Sequence, residues 1–187
     1  MRLLLIADTE PLLKPSLQQY VSDRKIDAVI TVGDLYAFDL NGIEECCVPA
    51  MGVYGNHCSP DYLERLGMIN LHRNRVMLGG LSFTGMEGCV RYNEYSRAVA
   101  YTQEEYAAMI TDLEPADILV THCPPRGIND GPDRAHIGID ALRTWIDENQ
   151  PQVLIHGHTY PQNPITQHGA TRIVYVHGTR ILTVPEG

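Results

Sequence analysis

The sequence predicts an α/β fold to which antiparallel strands are added. Short apolar runs rich in Val, Ile and Leu alternate with polar stretches of helical spacing, and the second half adds β-rich runs separated by turn residues. The chain has 187 residues, 44% of them hydrophobic, and shows no internal repeat and no linker. We therefore expect one domain, residues 1–187, with a substantial core.

The individual elements follow from local patterns. Five apolar runs predict buried strands: RLLLIAD (2–8), DAVITVGD (27–34), CCVPAMGVYG (46–55), ADILVTH (116–122) and QVLIHGH (152–158). Four stretches have helical spacing: KPSLQQYVSDRK, SPDYLERLG, TQEEYAAMITDL and IGIDALRTWIDENQ. Thr102 and Glu105 match a capping box, and Gly67 is a helix stop. The turn sequences HGAT and HGTR, within residues 163–184, predict hairpins.

Charge and cysteine content exclude several classes of function. The net charge is −9 with two lysines, so we expect no stable binding to nucleic acid. No apolar run reaches the length of a signal or membrane segment, which predicts a cytoplasmic protein without membrane contact. The five cysteines lack CxxC spacing, which argues against a disulfide framework and a structural zinc site. Homo-oligomer formation is left open.

Polar side chains follow the predicted strands at the point where each strand ends. They are Asp8, Asp34, Asn56, His122 and His158. Taken singly, each aspartate could equally be a helix cap or a turn former. Open α/β sheets bind ligands at the carboxyl ends of their strands, so five such residues predict one shared site. Their oxygen and nitrogen donors suit hard or borderline divalent cations.

These motifs, in this order, resemble those of the calcineurin-like metallophosphoesterases. The resemblance rests on IAD, VGDL, YGNH, THCPP and HGHTY, and it extends over nearly the whole chain. The stretches 85–93 and 121–138 further resemble the small stand-alone branch of that family. The resemblance implies a four-layer sandwich of two mixed β-sheets flanked by helices. It also implies a two-metal site at the strand ends.

The resemblance assigns ligands to both metals. It implies that Asp34 bridges the two ions and that the second ion is completed by Asn56, His122 and His158. The first ion would take Asp8, Asp34 and two positions that are usually histidine in the family. Those two positions are Glu10 and Tyr160 here.

The two departures weaken the first metal site to different degrees. Glu10 remains a competent ligand because a carboxylate binds Mn²⁺, Mg²⁺ or Fe²⁺. Tyr160 is a poor ligand because a phenol stays protonated at neutral pH unless a metal depresses its pKa. A different register would make His156 and His158 the ligand pair. Gly157 before His158 matches the family motif better, which favours His156 as a supporting or core histidine.

His57 is the predicted catalytic residue. It follows Asn56 but should face elsewhere, which leaves its imidazole free to donate a proton to the leaving oxygen. The resemblance implies hydrolysis of a phosphoester by a metal-bound hydroxide. Cys58 stands where the family often has an acidic residue that would orient this histidine, so we expect His57 to be held less firmly. The competing interpretation is a loop histidine that caps a backbone carbonyl.

Three residues are candidates for binding the substrate phosphate. Arg126 and His136 belong to the polar loop after His122, and Arg91 precedes Tyr92 and Asn93. Solvated loop positions are the alternative for all three. We expect surface or packing roles for the histidines outside the motifs, which are His72, His168 and His177.

The sequence therefore predicts a metal-dependent phosphoric ester hydrolase, most consistent with a phosphodiesterase. We expect a small phosphorylated substrate and one or two divalent ions per chain. Mn²⁺ is preferred, with Mg²⁺, Fe²⁺, Ni²⁺ and Zn²⁺ as alternatives. The other function we consider is a degenerate member of the fold that serves as a metal-binding or protein-binding scaffold with little catalysis.

Overall fold

The computed structural model describes residues 1–93 and 99–185. Thirteen strands and four α-helices are formed within this part of the chain. The helices are α1 (Leu17–Asp23), α2 (Tyr62–Arg65), α3 (Gln103–Ile110) and α4 (Asp140–Asn149). The strands are β1 (Arg2–Ala7), β2 (Ala28–Thr31), β3 (Ala50–Gly52), β4 (Ile69–Asn70), β5 (Val76–Leu78), β6 (Leu81–Met86), β7 (Cys89–Val90), β8 (Ala100–Tyr101), β9 (Ile118–Thr121), β10 (Val153–His156), β11 (Ile165–His168), β12 (Thr171–Tyr175) and β13 (Gly178–Thr183).

Two mixed sheets form the centre of the molecule. The first has the order β13–β1–β2–β3–β4, in which β13 alone is antiparallel. The second has the order β11–β12–β10–β9–β6–β5, with antiparallel strands at both edges. A small parallel pair, β7 and β8, stands beside them. The first sheet thus has an antiparallel strand at one edge and the second sheet at both edges, in keeping with the added antiparallel strands that the sequence predicts.

Packing of the sheets and helices produces four layers. The inward faces of both sheets share one apolar core, which includes Leu5, Ile30 and Val120. Helices α1 and α2 cover the outer face of the first sheet through residues such as Leu17 and Leu63. Helices α3 and α4 cover the second sheet through a separate cluster. The predicted four-layer sandwich is confirmed.

The predicted elements are confirmed, with shorter bounds in places. The third strand is reduced to β3, and the helix predicted over 59–67 is a single turn, α2. The Thr102 hydroxyl accepts a hydrogen bond from the Glu105 amide at 3.1 Å, and the Glu105 carboxylate accepts one from the Thr102 amide at 2.8 Å. Gly67 has a φ of 63°, which is the left-handed geometry of a helix stop.

The hairpin predicted at HGTR is wrong. HGAT does join an antiparallel pair, β11 and β12. HGTR instead carries the chain from β12 in the second sheet to β13 in the first. Strand β13 pairs there with β1 over six residues, from Arg2 opposite Thr183 to Ala7 opposite Gly178. The crossing brings the two sheets together at one end.

Two further expectations concern the membrane and the thiols. In the described residues, no helix has the length and apolar character needed to cross a bilayer, and the longest, α4, has ten residues. All five cysteines are free thiols, as expected from their spacing.

Candidate metal centre

The strand ends of both sheets meet at one edge of the sandwich. Asp8 and Asp34 follow the central strands β1 and β2 of the first sheet, whereas His122 and His158 follow β9 and β10 of the second. Asp8, Asp34 and His158 have φ values of 63°, 54° and 67°, in the left-handed region that non-glycine residues rarely adopt. Such backbone costs about 1–3 kcal/mol per residue and concentrates at functional sites.

Glycines allow the loops to approach one another. A Cβ atom on Gly55 would lie 2.2 Å from Asp34 Oδ1, and one on Gly33 would lie 2.6 Å from His122 Nδ1. No real Cβ contact is this short, so a larger residue would push these side chains apart. The glycines before Asp34 and Asn56 therefore set the spacing of the polar groups that follow them.

Three predicted ligands are brought together. The potential ligand atoms of Asp34, His122 and His158 all lie within 4.8 Å of one another. Asn56 joins them, because its Oδ1 lies 3.0 Å from His122 Nε2. His122 is fully buried and Asn56 is nearly so. The set predicted for the second metal is thus assembled in one place.

Hydrogen bonds orient each imidazole toward the centre of this cluster. His122 Nδ1 donates to the Val32 carbonyl at 2.8 Å, so Nε2 faces Asn56 Oδ1 and, at 3.5 Å, Asp34 Oδ1. His158 Nε2 donates to the Ala135 carbonyl at 2.7 Å, which leaves the lone pair on Nδ1. Metal-binding histidines commonly anchor their second nitrogen in this way.

The donor set fits a divalent cation. A neutral His122 would place a nitrogen lone pair against two oxygens that cannot donate a proton, the Asn56 amide oxygen and the Asp34 carboxylate. A positive charge among these atoms removes the repulsion, and two imidazoles with a carboxylate and an amide oxygen match borderline metals such as Mn²⁺, Fe²⁺ or Zn²⁺.

The side-chain pKa values reflect the same concentration of charge. Burial opposes ionisation of Asp34, but the nearby His122 imidazole and the hydrogen bonds to the carboxylate prevail and lower its pKa to about 2. Burial likewise disfavours a charged His122, yet Asp34 and Asp8 leave its pKa above the ordinary value. Burial and the adjacent His122 lower the pKa of His158 to about 4, so its ring is neutral at neutral pH. Neutral imidazole is the form that binds metal.

His156 is buried and is not part of the cluster of ligand atoms. Its ring is buried, with Nδ1 donating to the Gly157 carbonyl at 3.0 Å and Nε2 accepting from the Asn129 amide at 3.0 Å. Both ring nitrogens are therefore engaged away from the ligand cluster. This agrees with the register in which His158 is the ligand.

The residues predicted for the first metal are less well assembled. The Asp8 carboxylate accepts from the His158 amide at 3.1 Å and lies 4.0 Å from His122 Nδ1, and burial raises its pKa to about 6. Glu10 is exposed and does not join the cluster of ligand atoms. Tyr160 is 72% exposed, with its ring against those of His136 and His177. The ligand roles of Glu10 and Tyr160 stay predictions.

His57 lies at the mouth of the site. Its backbone amide donates to Asp34 Oδ1 at 2.7 Å, while its side chain is exposed. The peptide next to the imidazole is therefore fixed to a predicted metal ligand, and the ring is exposed to solvent. This geometry is compatible with the predicted proton donor.

Cys58 has a role that the sequence did not suggest. Its sulfur accepts hydrogen bonds from the Asp34 amide at 3.0 Å and from the Gly55 amide at 2.9 Å. Burial raises the pKa of this thiol to about 11, so it remains protonated. Cys58 thus ties the Asp34 loop to the Asn56 loop, while the expectation that the His57 imidazole is held less firmly stays a prediction.

Replacing Cys58 by alanine should destabilise the fold by about 1–3 kcal/mol, because two partly buried amides lose their acceptor. Serine should retain most of the stability. Urea unfolding of the wild type, Cys58→Ala, Cys58→Ser and the control Cys47→Ala, at an exposed cysteine, measures the difference. Equal stability of Cys58→Ala and Cys47→Ala would show that these bonds contribute nothing.

The three predicted phosphate-binding residues are placed differently. His136 lies beside the centre, with its ring centroid 5.4 Å from that of His158 and its Nδ1 2.9 Å from Asp133. Arg126 is partly exposed and lies 3.8 Å from the Asp130 carboxylate. Arg91 pairs with Glu105 at 2.8 Å and donates to the Ala100 carbonyl, so its guanidinium is already engaged. Of the three, His136 is supported by its position.

His177 lies beside residues predicted for the first metal, although it belongs to none of the motifs. It stands between β12 and β13 and is exposed, which agrees with the expected surface role. Its ring centroid lies 5.6 Å from that of Tyr160. The local sequence carries no signal for this, because it depends on which sheet β13 joins.

Comparisons with known proteins agree with this fold. Residues 1–179 match the family model of the calcineurin-like phosphoesterase superfamily domain. The protein TT1561 of Thermus thermophilus superposes with a TM-score of 0.65 at 17% identity, over 94% of this chain and 88% of that one. A dimetal phosphatase from Danio rerio superposes with a TM-score of 0.59 at 12% identity, over 95% and 87%.

A third structural neighbour has a different role. GAP50, the anchor in the inner membrane complex of Plasmodium, superposes with a TM-score of 0.54 at 10% identity, over 95% of this chain and 71% of that one. Comparison with curated sequences yields no match. The structural likenesses show the fold, and the match of the family model shows that the chain belongs to the calcineurin-like phosphoesterase superfamily.

Proposed function

We propose that the protein is a metal-dependent phosphoric ester hydrolase that acts on a phosphodiester. The observation that carries this proposal is the convergence of Asp34, His122 and His158 within 4.8 Å, with the Asn56 amide oxygen beside them. These four residues would hold the second ion. Asp8, across the site, would take part in holding the first.

The chain's own groups have distinct parts in the reaction. When bound, divalent ions activate water and offset the negative charge that develops on the phosphoryl group. Asp34 and the two anchored imidazoles, His122 and His158, would hold the second ion. His57, exposed and held at its amide by Asp34, donates a proton to the departing oxygen.

The surroundings of the site favour a diester of a small molecule. A cleft of about 580 Å³ lies beside the centre, lined by the 129–136 loop and by Thr159–Gln162. It is open enough to accept a substituent on the second ester oxygen. His136 lines this cleft, and its ring centroid lies 5.4 Å from that of His158. It is therefore positioned to contact a non-bridging phosphate oxygen.

The direct test is hydrolysis of bis(p-nitrophenyl) phosphate and p-nitrophenyl phosphate by the metal-stripped protein after addition of Mn²⁺, Mg²⁺, Fe²⁺, Ni²⁺ or Zn²⁺. We expect turnover that EDTA abolishes, faster on the diester and greatest with Mn²⁺. Activity confined to the monoester would contradict the substrate class. Absence of turnover with every metal would contradict the hydrolase.

One observation favours a second function, a binding scaffold with little catalysis. Tyr160 presents a largely exposed ring where an imidazole ligand of the first metal would be expected. GAP50, which shares the fold, is described as an anchor. A protein partner could use the same exposed ring.

Replacing Tyr160 by histidine separates the two functions. In a hydrolase, the new imidazole should tighten binding of the first ion by about tenfold or more and raise diester turnover, because two ions hold the attacking and leaving oxygens together. Mn²⁺ calorimetry and the diester assay measure both effects, with Tyr20→His on α1 as the control. An inactive wild type, together with a variant that gains neither metal nor rate, would favour the scaffold.

A further inference from the structure

The first-metal half of the site lacks the imidazoles that its neighbour has. His122 and His158 supply nitrogen to the second ion, whereas Asp8 is accompanied by Glu10 and Tyr160. An ion bound by oxygen atoms alone would be held less tightly if it is one of the borderline metals that prefer imidazole. A nitrogen donor close to Asp8 would correct this.

The strand register places such a donor next to Asp8. In the antiparallel pair of β1 and β13, Ala7 lies opposite Gly178. The next residues beyond this pair are Asp8 on one strand and His177 on the other. The loops stay close past the last pair, since a Cβ atom on Gly178 would lie 3.6 Å from Thr9 Cγ2. His177 is thus a neighbour of Asp8, although the two residues stand near opposite ends of the sequence.

The His177 side chain is exposed, and its ring must turn toward Asp8 to become a ligand, because among the described residues it is not part of the cluster formed by Asp34, His122 and His158. Its centroid lies 5.6 Å from that of Tyr160, two residues after the ligand His158. In residues 1–93 and 99–185, the ring forms no hydrogen bond or ion pair. His136 and His158 each already use one ring nitrogen, because His136 Nδ1 contacts Asp133 and His158 Nε2 donates to the Ala135 carbonyl.

A buried polar atom near Asp8 also lacks a partner. The Tyr175 hydroxyl, two residues before His177, forms no hydrogen bond within the described chain. Burial and the negative charge of Asp8 raise the pKa of this phenol, which places a protonated donor near the carboxylate. Such a donor could bind an oxygen atom in the outer shell of an ion held by Asp8.

We propose that His177 supplies the nitrogen ligand of the first divalent ion, together with Asp8 and Asp34. Because β13 pairs with β1, His177 would supply the imidazole that the residues at positions 10 and 160 lack. Tyr160 would then flank the ligand rather than bind the ion. This inference rests on the proposed function in one respect, since it requires that the centre hold two ions.

The test is the Mn²⁺ stoichiometry and affinity of the wild type and His177→Ala, measured by calorimetry and by metal analysis after equilibrium dialysis. We expect two ions in the wild type. His177→Ala should bind the first ion at least about tenfold more weakly and leave the second unchanged. His168→Ala is the matched control, because His168 bonds Asp147 at the end of β11.

A double variant tests whether His177 and Asp8 serve the same ion. Once Asp8→Asn has removed that ion, adding His177→Ala should cause no further loss of Mn²⁺. Two ions bound with wild-type affinity by His177→Ala would overturn the inference alone. A wild type that binds one ion at saturation would overturn it and leave the second site intact, whereas a wild type that binds none would overturn the proposed function as well.

Discussion

Replacing Asp34 by asparagine is expected to weaken Mn²⁺ binding by more than about 100-fold and to remove diester hydrolysis. Loss of a supporting group around a metal costs about 10–100-fold in affinity, and Asp34 is proposed to be a ligand itself. Asparagine keeps the shape of the aspartate side chain and an oxygen that can still accept the hydrogen bond from the His57 amide, so the loop should remain in place. The substitution therefore removes the negative charge and changes little else in the site.

Calorimetry with Mn²⁺ and the diester assay on Asp34→Asn measure this effect. Asp39→Asn is a suitable control. The Asp39 carboxylate accepts a hydrogen bond from the Tyr36 amide and lies outside the cluster of ligand atoms. Circular dichroism and urea unfolding establish that both variants fold. Wild-type metal affinity in a folded Asp34→Asn protein would show that Asp34 is not a metal ligand.

Replacing His57 by alanine should lower kcat by about 100-fold or more, the size of effect expected on losing a general acid. Metal content should change little, because the residue is linked to Asp34 through its backbone amide, which alanine retains. The exposed position of the ring also predicts a small effect on stability. Diester turnover and metal analysis of the same preparation give both quantities.

A substrate that needs no proton provides the control for His57. Diesters with increasingly acidic leaving groups should be affected progressively less by His57→Ala, since a better leaving group departs without protonation. A uniform loss across the series would assign His57 to binding or positioning. Loss of metal in parallel with activity would make it a ligand.

The sequence predicts the strand-end residues well because their chemistry is local. Asp34 follows Gly33 at the end of an apolar strand, and His158 follows Gly157 in the same way. Parallel strands point their carboxyl ends to one edge, so the pattern alone brings such residues together. The close approaches at Gly33 and Gly157 explain why glycine stands before both ligands.

Contacts between residues far apart in the chain were not predicted from the sequence. Cys58 bonds the amides of Asp34 and Gly55, and the first of these lies on another loop. Arg91 pairs with Glu105, which no local pattern predicts. These contacts are fixed by tertiary packing, whereas capping and strand patterns are fixed within a few residues.

The crossing at HGTR shows the same limit at the level of topology. Its composition is that of a turn, and a turn between two β-rich runs predicts a hairpin. Pairing of β13 with β1 is decided by the edge that the first sheet leaves open. Because that choice places His177 beside Asp8, the error in topology and the missed neighbour of the metal centre have one cause.

The most direct measurement is anomalous diffraction from crystals soaked at low Mn²⁺ concentration. We expect the strongest peak in contact with Asp34, Asn56, His122 and His158, with the position beside Asp8 and His177 filling only as the Mn²⁺ concentration is raised. Crystals with no ordered Mn²⁺ among those four residues, or with Mn²⁺ bound elsewhere, would show that these residues do not form the metal centre.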